Sequence, residues 1–112
     1  MKRGEVWTLR DEGYASKARP VVIVQADDIS EFDSVALCLF TTFDSSQIMT
    51  RVFITASRTN GLVKDSYLMT EKIITVDKRE IGDKIGVLTD EQMRLVSTQL
   101  ARVLQIRKED II

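Results

Sequence analysis

The hydrophobic period of this chain changes once, at Thr89, and that change restricts the folds open to it. Before Thr89 the apolar residues gather in short runs such as "VVIV" at 21–24 and "VALCLF" at 35–40, parted by Gly, Asn, Asp and Ser. Runs of this length between turn formers are strands with one or both faces covered. After Thr89 the spacing lengthens: Met93, Val96, Leu100 and Val103 share one helical face, with Leu104 beside them. Thr89 and Gln92 stand at the spacing of a capping box. Asp90 and Glu91 complement the positive end of a helix dipole there, and Arg107 and Lys108 the negative end. The pattern predicts one amphipathic helix over 89–107.

Strands are expected at 5–9, 21–25, 34–42 and 51–55, one or two more within 66–77, and a last short one at 84–88. Pro20 cannot donate a ladder hydrogen bond and belongs at a strand start. Asn60-Gly61 is a turn signal. Close-spaced strands followed by one helix point to a mainly β fold, a small, strongly bent sheet or barrel with the helix packed on it. At 112 residues the chain is expected to form a single domain spanning 1–112. The longest apolar run, Val35 to Phe40, is six residues, too short to cross a membrane. No apolar stretch follows the first charges, as a secretory leader would require. Cys38 is the lone cysteine and fits a reducing compartment, so the expected location is cytoplasmic.

Two absences bound the chemistry. The chain has no histidine and one cysteine. Histidine acid–base catalysis, Cys-His nucleophiles and transition-metal sites are therefore disfavoured, and no metal or other cofactor is expected. Reactivity must come from carboxylate, Arg, Lys, Tyr and hydroxyl groups. A net charge of −1 gives no general nucleic-acid signal, so such a role needs a local basic patch.

Four polar features sit at expected strand ends: Arg19, the Thr41–Thr42 pair, Ser66 and Glu71. A guanidinium matches a phosphate with fixed donors, a threonine hydroxyl can donate to a phosphoryl oxygen, and a carboxylate can take a proton from a sugar hydroxyl. These groups suffice for transesterification of RNA, in which a 2′-OH attacks its own phosphate. Each also has a plainer account. Arg19 is placed like a charged gatekeeper of a strand edge, the threonines are good β-formers, and Glu71 beside Lys72 can be a solvated pair. Trp7 and Phe40 read as core, and Cys38 as a small buried hydrophobe.

Taken in order, "MKRGEVW", "ARPVVIVQ", the strand end "FTT" and "DSYLMTEKIITVDKREIGDKIGVLTDEQM" resemble the MazF/PemK family of toxin endoribonucleases from bacterial toxin–antitoxin pairs, from Gly4 to about Leu104. The resemblance implies an SH3-like barrel with a C-terminal helix, acting as a homodimer. It implies sequence-specific, metal-independent cleavage of single-stranded mRNA to a 2′,3′-cyclic phosphate and a 5′-OH, held in check by a cognate antitoxin. By position Arg19 matches the family's Arg-Pro arginine, which stabilises the phosphate or serves as acid, and Thr41 the strand-end phosphate-binding threonine, with Thr42 beside it. Glu71 matches the acidic position proposed as general base in some relatives. Ser66 and Lys17 flank these.

The chain departs from the family pattern in two places. The Glu-Gln that many relatives carry before Arg-Pro is missing from the shorter "EGYASKARP", leaving Tyr14 or Lys17 to contact RNA in its stead. An arginine that some relatives carry two residues before the acid is Met69 here. Arg19 does not give up a proton readily, which makes it a transition-state stabiliser, with water protonating the leaving oxygen. Loops 10–18 and 43–50 are expected to set sequence preference. Two other readings share the fold: a non-enzymatic toxin like CcdB, which binds DNA gyrase through a C-terminal Trp-Gly-Ile where this sequence reads "RKEDII", and an inactive homologue that only binds RNA or antitoxin.

Overall fold

A computed structural model of the chain describes residues 1–10 and 19–112. Strands β1 (Glu5–Leu9), β2 (Arg19–Ile23), β3 (Ser34–Thr41), β4 (Arg51–Ile54), β5 (Ser66–Asp77) and β6 (Ile81–Val87) precede one α-helix, α1 (Asp90–Val103). The strands pair antiparallel in the order β4-β5-β3-β2-β1-β6.

Alternation along the strands builds two apolar clusters. Val6, Val22, Cys38, Val52, Ile54 and Leu68 point to the face that α1 covers with Val96 and Leu100. Val21, Ile23, Val35, Leu37 and Ile81 form a second cluster, flanked by Trp7, Leu9, Leu39 and Val76. β2 lies between β1 and β3 and feeds both, so Val21, Val22 and Ile23 are all fully buried or nearly so. That is why the sequence there is continuously apolar rather than alternating. Burial also pushes the Cys38 thiol up to about 12, leaving it a packing group without nucleophilic character at neutral pH.

The stretch 66–77 is one strand, bent in its middle. β5 runs from Leu68, opposite Phe40, to Ile73, opposite Cys38, so it carries extra residues against β3 at 69–72. The bulge turns the strand and lets its first half also pair with β4. The barrel is then closed by the connection after β4. Val87 N donates to Thr59 O at 2.9 Å, and buried Asn60 accepts from Ser57 N and Leu62 N while its amide donates to Thr55 O. Gly61 adopts φ +73 there, and a Cβ on it would stand 2.1 Å from Ile85 O. The Asn-Gly signal thus marks a turn whose task is closure against β6.

The helix begins as expected. Thr89 Oγ1 accepts from Gln92 N at 3.1 Å and Gln92 Oε1 accepts from Thr89 N at 2.9 Å, a complete capping box. It ends sooner than the expected 107. Gln105 takes φ 55, Ile106 N donates to Ala101 O and Gln105 N to Arg102 O, a Schellman termination. Arg107 and Lys108 therefore lie beyond the helix, where Arg107 contacts Asp110 in a short 3-10 turn, and Arg102 is the cation of the last helical turn. Val96 and Leu100 are buried and Met93 packs on the core, while Leu104 is exposed.

At the start of β1, Glu5 accepts from Lys2 N at 2.8 Å and Trp7 Nε1 at 3.1 Å, and pairs with Lys84 Nζ at 2.9 Å. Burial alone would raise this carboxyl, but those three donors outweigh it and bring it to about 2. The folded value lies below the unfolded one, so the stabilisation is present above the ordinary glutamate range and is lost as pH falls toward 2. Melting temperature should fall between about pH 5 and pH 2 in the native protein, and less steeply in Glu5→Gln. Parallel acid limbs for the two proteins would show that Glu5 carries no such linkage.

Candidate functional site

Where β2 begins and β3 ends, the connections after β3 and after β4 border a cavity of about 720 Å³. Its walls include Arg19, Thr41, Thr42, Lys64 and Ser66, over an apolar floor of Pro20, Phe40, Leu62 and Ile85. Arg19 is the first residue of β2 and exposed, while the next four residues anchor its backbone in the middle of the sheet. Val21 lies opposite Leu39, the outermost pair of that ladder, so Arg19 and Thr41 lie beyond it at the same end of the sheet, both lining the cavity. Thr41 Oγ1 accepts from Phe43 N at 3.2 Å, which orients the hydroxyl at the strand end. Ser66 is buried at the start of β5 and donates to Lys64 O at 2.8 Å. Lys64 is held on the wall by the Asn60–Gly61 closure just before it. A guanidinium, an ammonium and the hydroxyls of Thr41 and Thr42 over an apolar floor make an anion site with room for a flat ring, the Ser66 hydroxyl already donating to Lys64 O.

Arg19 also borders a second depression of about 1120 Å³, shared with Arg10, Asp77, Arg79, Glu80 and Asp83. Its charges cancel. Arg79 is held by Asp77 at 3.0 Å and Arg10 donates to Ile81 O at 3.1 Å, so the surplus positive charge lies on the Lys64 side.

Glu71 lines neither hollow. It sits in the β5 bulge, where Arg51 Nη2 and Nε reach its Oε2 at 2.9 and 3.0 Å and Thr50 Oγ1 donates to its Oε1 at 3.0 Å. Arg51 Nη1 continues to buried Ser45 at 2.9 Å. Burial would raise the carboxyl, yet the hydrogen bonds from Arg51 and Thr50 and the guanidinium charge hold it below its ordinary value. Both oxygens are occupied by donors that brace the 42–50 connection against β5.

The PemK-like, MazF-like toxins of type II toxin–antitoxin systems match residues 2–104. The chain belongs to this family. It is 34% identical over 94 residues to a probable endoribonuclease MazF of Mycolicibacterium smegmatis, covering 83% of this chain and 86% of the relative. It is 36% identical over 84 residues to endoribonuclease EndoA of Bacillus subtilis, covering 73% and 72%. A solved mycobacterial endoribonuclease in complex with its cognate antitoxin superposes with a TM-score of 0.79 at 29% identity, covering 96% of this chain and 97% of that one.

The fold therefore gathers Arg19, Thr41, Thr42 and Ser66 of the residues picked out by resemblance to these toxins, and sets Glu71 apart from them. Tyr14 and Lys17 lie outside the described residues. Sequence reasoning missed Lys64, which reaches the cavity only because the turn before it closes the barrel. It also missed Arg51 as the partner of Glu71, since the two are brought together only by the pairing of Arg51 with Met69. Arg51→Met should destabilise the protein by about 2 kcal/mol, more than Glu71→Gln, because it strands a half-buried carboxylate while Gln keeps hydrogen-bonding capacity. The pair should show a coupling of roughly 1–2 kcal/mol in a double-mutant cycle of denaturant unfolding. Additive effects would dissolve the proposed brace.

Proposed function

We propose that this chain, acting as one domain, is an endoribonuclease toxin that cleaves single-stranded mRNA at the Arg19–Thr41 cavity and is neutralised by a cognate antitoxin. The observation that carries the proposal is the placing of Arg19 and Thr41 at adjacent strand ends over one cavity, in a chain of the MazF-like toxin family. The phosphate sits between the guanidinium and the Thr41 hydroxyl, with Lys64, Thr42 and Ser66 along the cavity wall. The ribose 2′-oxygen attacks phosphorus, the bond from phosphorus to the 5′-oxygen breaks, and a 2′,3′-cyclic phosphate and 5′-OH remain. The 2′-OH proton passes to water and another from water reaches the leaving oxygen, so the proton count balances. Arg19 and Thr41 oppose the negative charge that grows on the phosphoryl oxygens. Glu71 is assigned a positioning role here in place of the general base: a carboxylate held below its ordinary value with both oxygens engaged is a weak proton acceptor.

Relatives of this fold support the antitoxin assignment, one of them being solved with its cognate antitoxin bound. We also infer a homodimer. The outward sheet face keeps Leu39, Val76 and Ile74 only partly covered, and a symmetric copy would bury them. An RNA substrate and a lone, buried Cys38 fit a cytoplasmic protein, and no helix among the described residues is long and apolar enough to cross a membrane.

Arg19→Ala should slow single-turnover RNA cleavage by ~10²–10³ while leaving the melting temperature within a few degrees. Arg19→Lys should recover only part of the loss, and cleavage should persist in EDTA. Glu71→Gln should lower stability yet keep the shape of the pH–rate profile. Cleavage that needs Mg²⁺, or an Arg19→Ala protein that cuts normally but melts earlier, would overturn the assignment. In light scattering the dimer should give twice the 12.7 kDa of the chain, and a monomer at micromolar concentration would refute it.

A further inference from the structure

At the sheet end that carries Arg19 and Thr41, a register row runs across the sheet from Thr41. Thr41 on β3 lies opposite Tyr67 on β5, and Tyr67 opposite Phe53 on β4. Residues directly opposite in neighbouring strands project to the same face. The hydroxyl and two aromatic rings therefore form one row, with Arg19 at the end of the strand beyond Thr41, the strands of Tyr67 and Phe53 lying about 5 and 10 Å from that of Thr41. The rings pack against each other with centroids 5.2 Å apart and planes tilted by 57°. Tyr67 Oη donates to Asp44 Oδ1 at 3.2 Å, which fixes its ring from the connection that follows Thr41.

The rings are not core. Phe53 is 52% exposed on the edge strand β4, and Phe43, next after Thr42, is 70% exposed. Exposed aromatics on a sheet edge invite self-association unless something covers them. Neighbouring strands could have carried small polar residues at these solvent-facing positions. Instead the row passes from phosphate-binding groups straight to ring faces, the sequence of contacts a nucleotide presents along its own length.

We propose that Tyr67 and Phe53 are a stacking platform for one nucleobase flanking the scissile phosphate of single-stranded RNA. The proposal rests on the RNA-cleaving reading of the Arg19–Thr41 site. A nucleobase is the occupant because the rings, although outside the cavity and on the sheet face that carries Leu39, share the register row of the Thr41 hydroxyl, and because unpaired bases are free to splay onto aromatic faces. Tyr67 and Phe53 act on binding and on which phosphate is presented, without touching the reacting atoms.

The test uses the full-length protein and a short RNA carrying one cleavage site, located by mapping the ends produced from a long RNA. Versions of this RNA carry an abasic nucleotide at each position beside the cut. For the native protein, kcat/KM should drop roughly 10- to 100-fold at one such position. Phe53→Leu and Tyr67→Leu, which keep apolar bulk and remove the ring, should lose a comparable factor on intact RNA and little more on the abasic RNA. Phe53→Trp should retain the native preference. Melting and light scattering on each variant separate this from unfolding or loss of assembly. Unchanged kcat/KM and cut sites in both Leu variants would assign the rings to a protein partner and overturn the platform. So would abasic penalties that persist undiminished in the variants, or losses that Phe53→Trp shares. A native protein that cuts no RNA overturns the reading of the site itself, and anisotropy binding of a short single-stranded RNA to the native, Phe53→Leu and Tyr67→Leu proteins then decides the platform separately.

Discussion

Everything at the site hangs on the double burial of β2. Val21 and Ile23 pack to one side of the sheet and Val22 to the other, so the strand can neither slide nor rotate without exposing several side chains at once. A shift by one residue would exchange the two faces, misfit both clusters and draw polar Gln25 or charged Arg19 toward the core. That constraint holds the backbone of Arg19 at the end of the strand. It also sets the register with β3, and through β3 the row that continues over β5 to β4. The guanidinium itself is exposed and long, but its point of attachment is the first residue of a strand that lies between β1 and β3.

Around this core, polar networks shape the connections. Asn60 satisfies the backbone of the turn from inside and lets residues 57–62 lie against β6, which closes the barrel and presents Lys64. The Glu71, Arg51, Thr50 and Ser45 cluster does the same for the 42–50 connection, which carries Phe43 and Asp44 alongside Thr41. Half-buried charges of this kind contribute specificity more than raw stability, since their desolvation offsets much of their attraction. Here they determine where two loops go. Charge is distributed accordingly: a chain with net −1 keeps one basic wall by tying its carboxylates at Glu5, Glu71 and Asp77 to other cations.

The element types were legible because they follow from local rules. The apolar runs separated by turn formers became six strands, and Thr89 with Gln92 became a helix start through a capping box that needs only neighbouring atoms. The helix stop was less legible. Gln105 terminates it in a left-handed conformation that asparagine or glycine would have advertised and glutamine does not. The 66–77 stretch could be one strand or two until the bulge at 69–72 was seen, because a bulge depends on partners on both sides.

By itself, the sequence determined the fold class, the lack of imidazole and metal-thiolate chemistry, and the residue types at strand ends from which an anion site could be drawn. Those properties depend on composition and on period, and both survive without knowing which strand lies beside which. Tertiary structure decided the rest. It joined Arg19 to Thr41, Thr42 and Ser66, added Lys64, and removed Glu71 to a bracing position beside Arg51. It also aligned Tyr67 and Phe53 with the hydroxyl of Thr41. Each of these is a relation between residues far apart along the chain, and only the pairing of strands, with closure of the barrel behind them, brings them within reach.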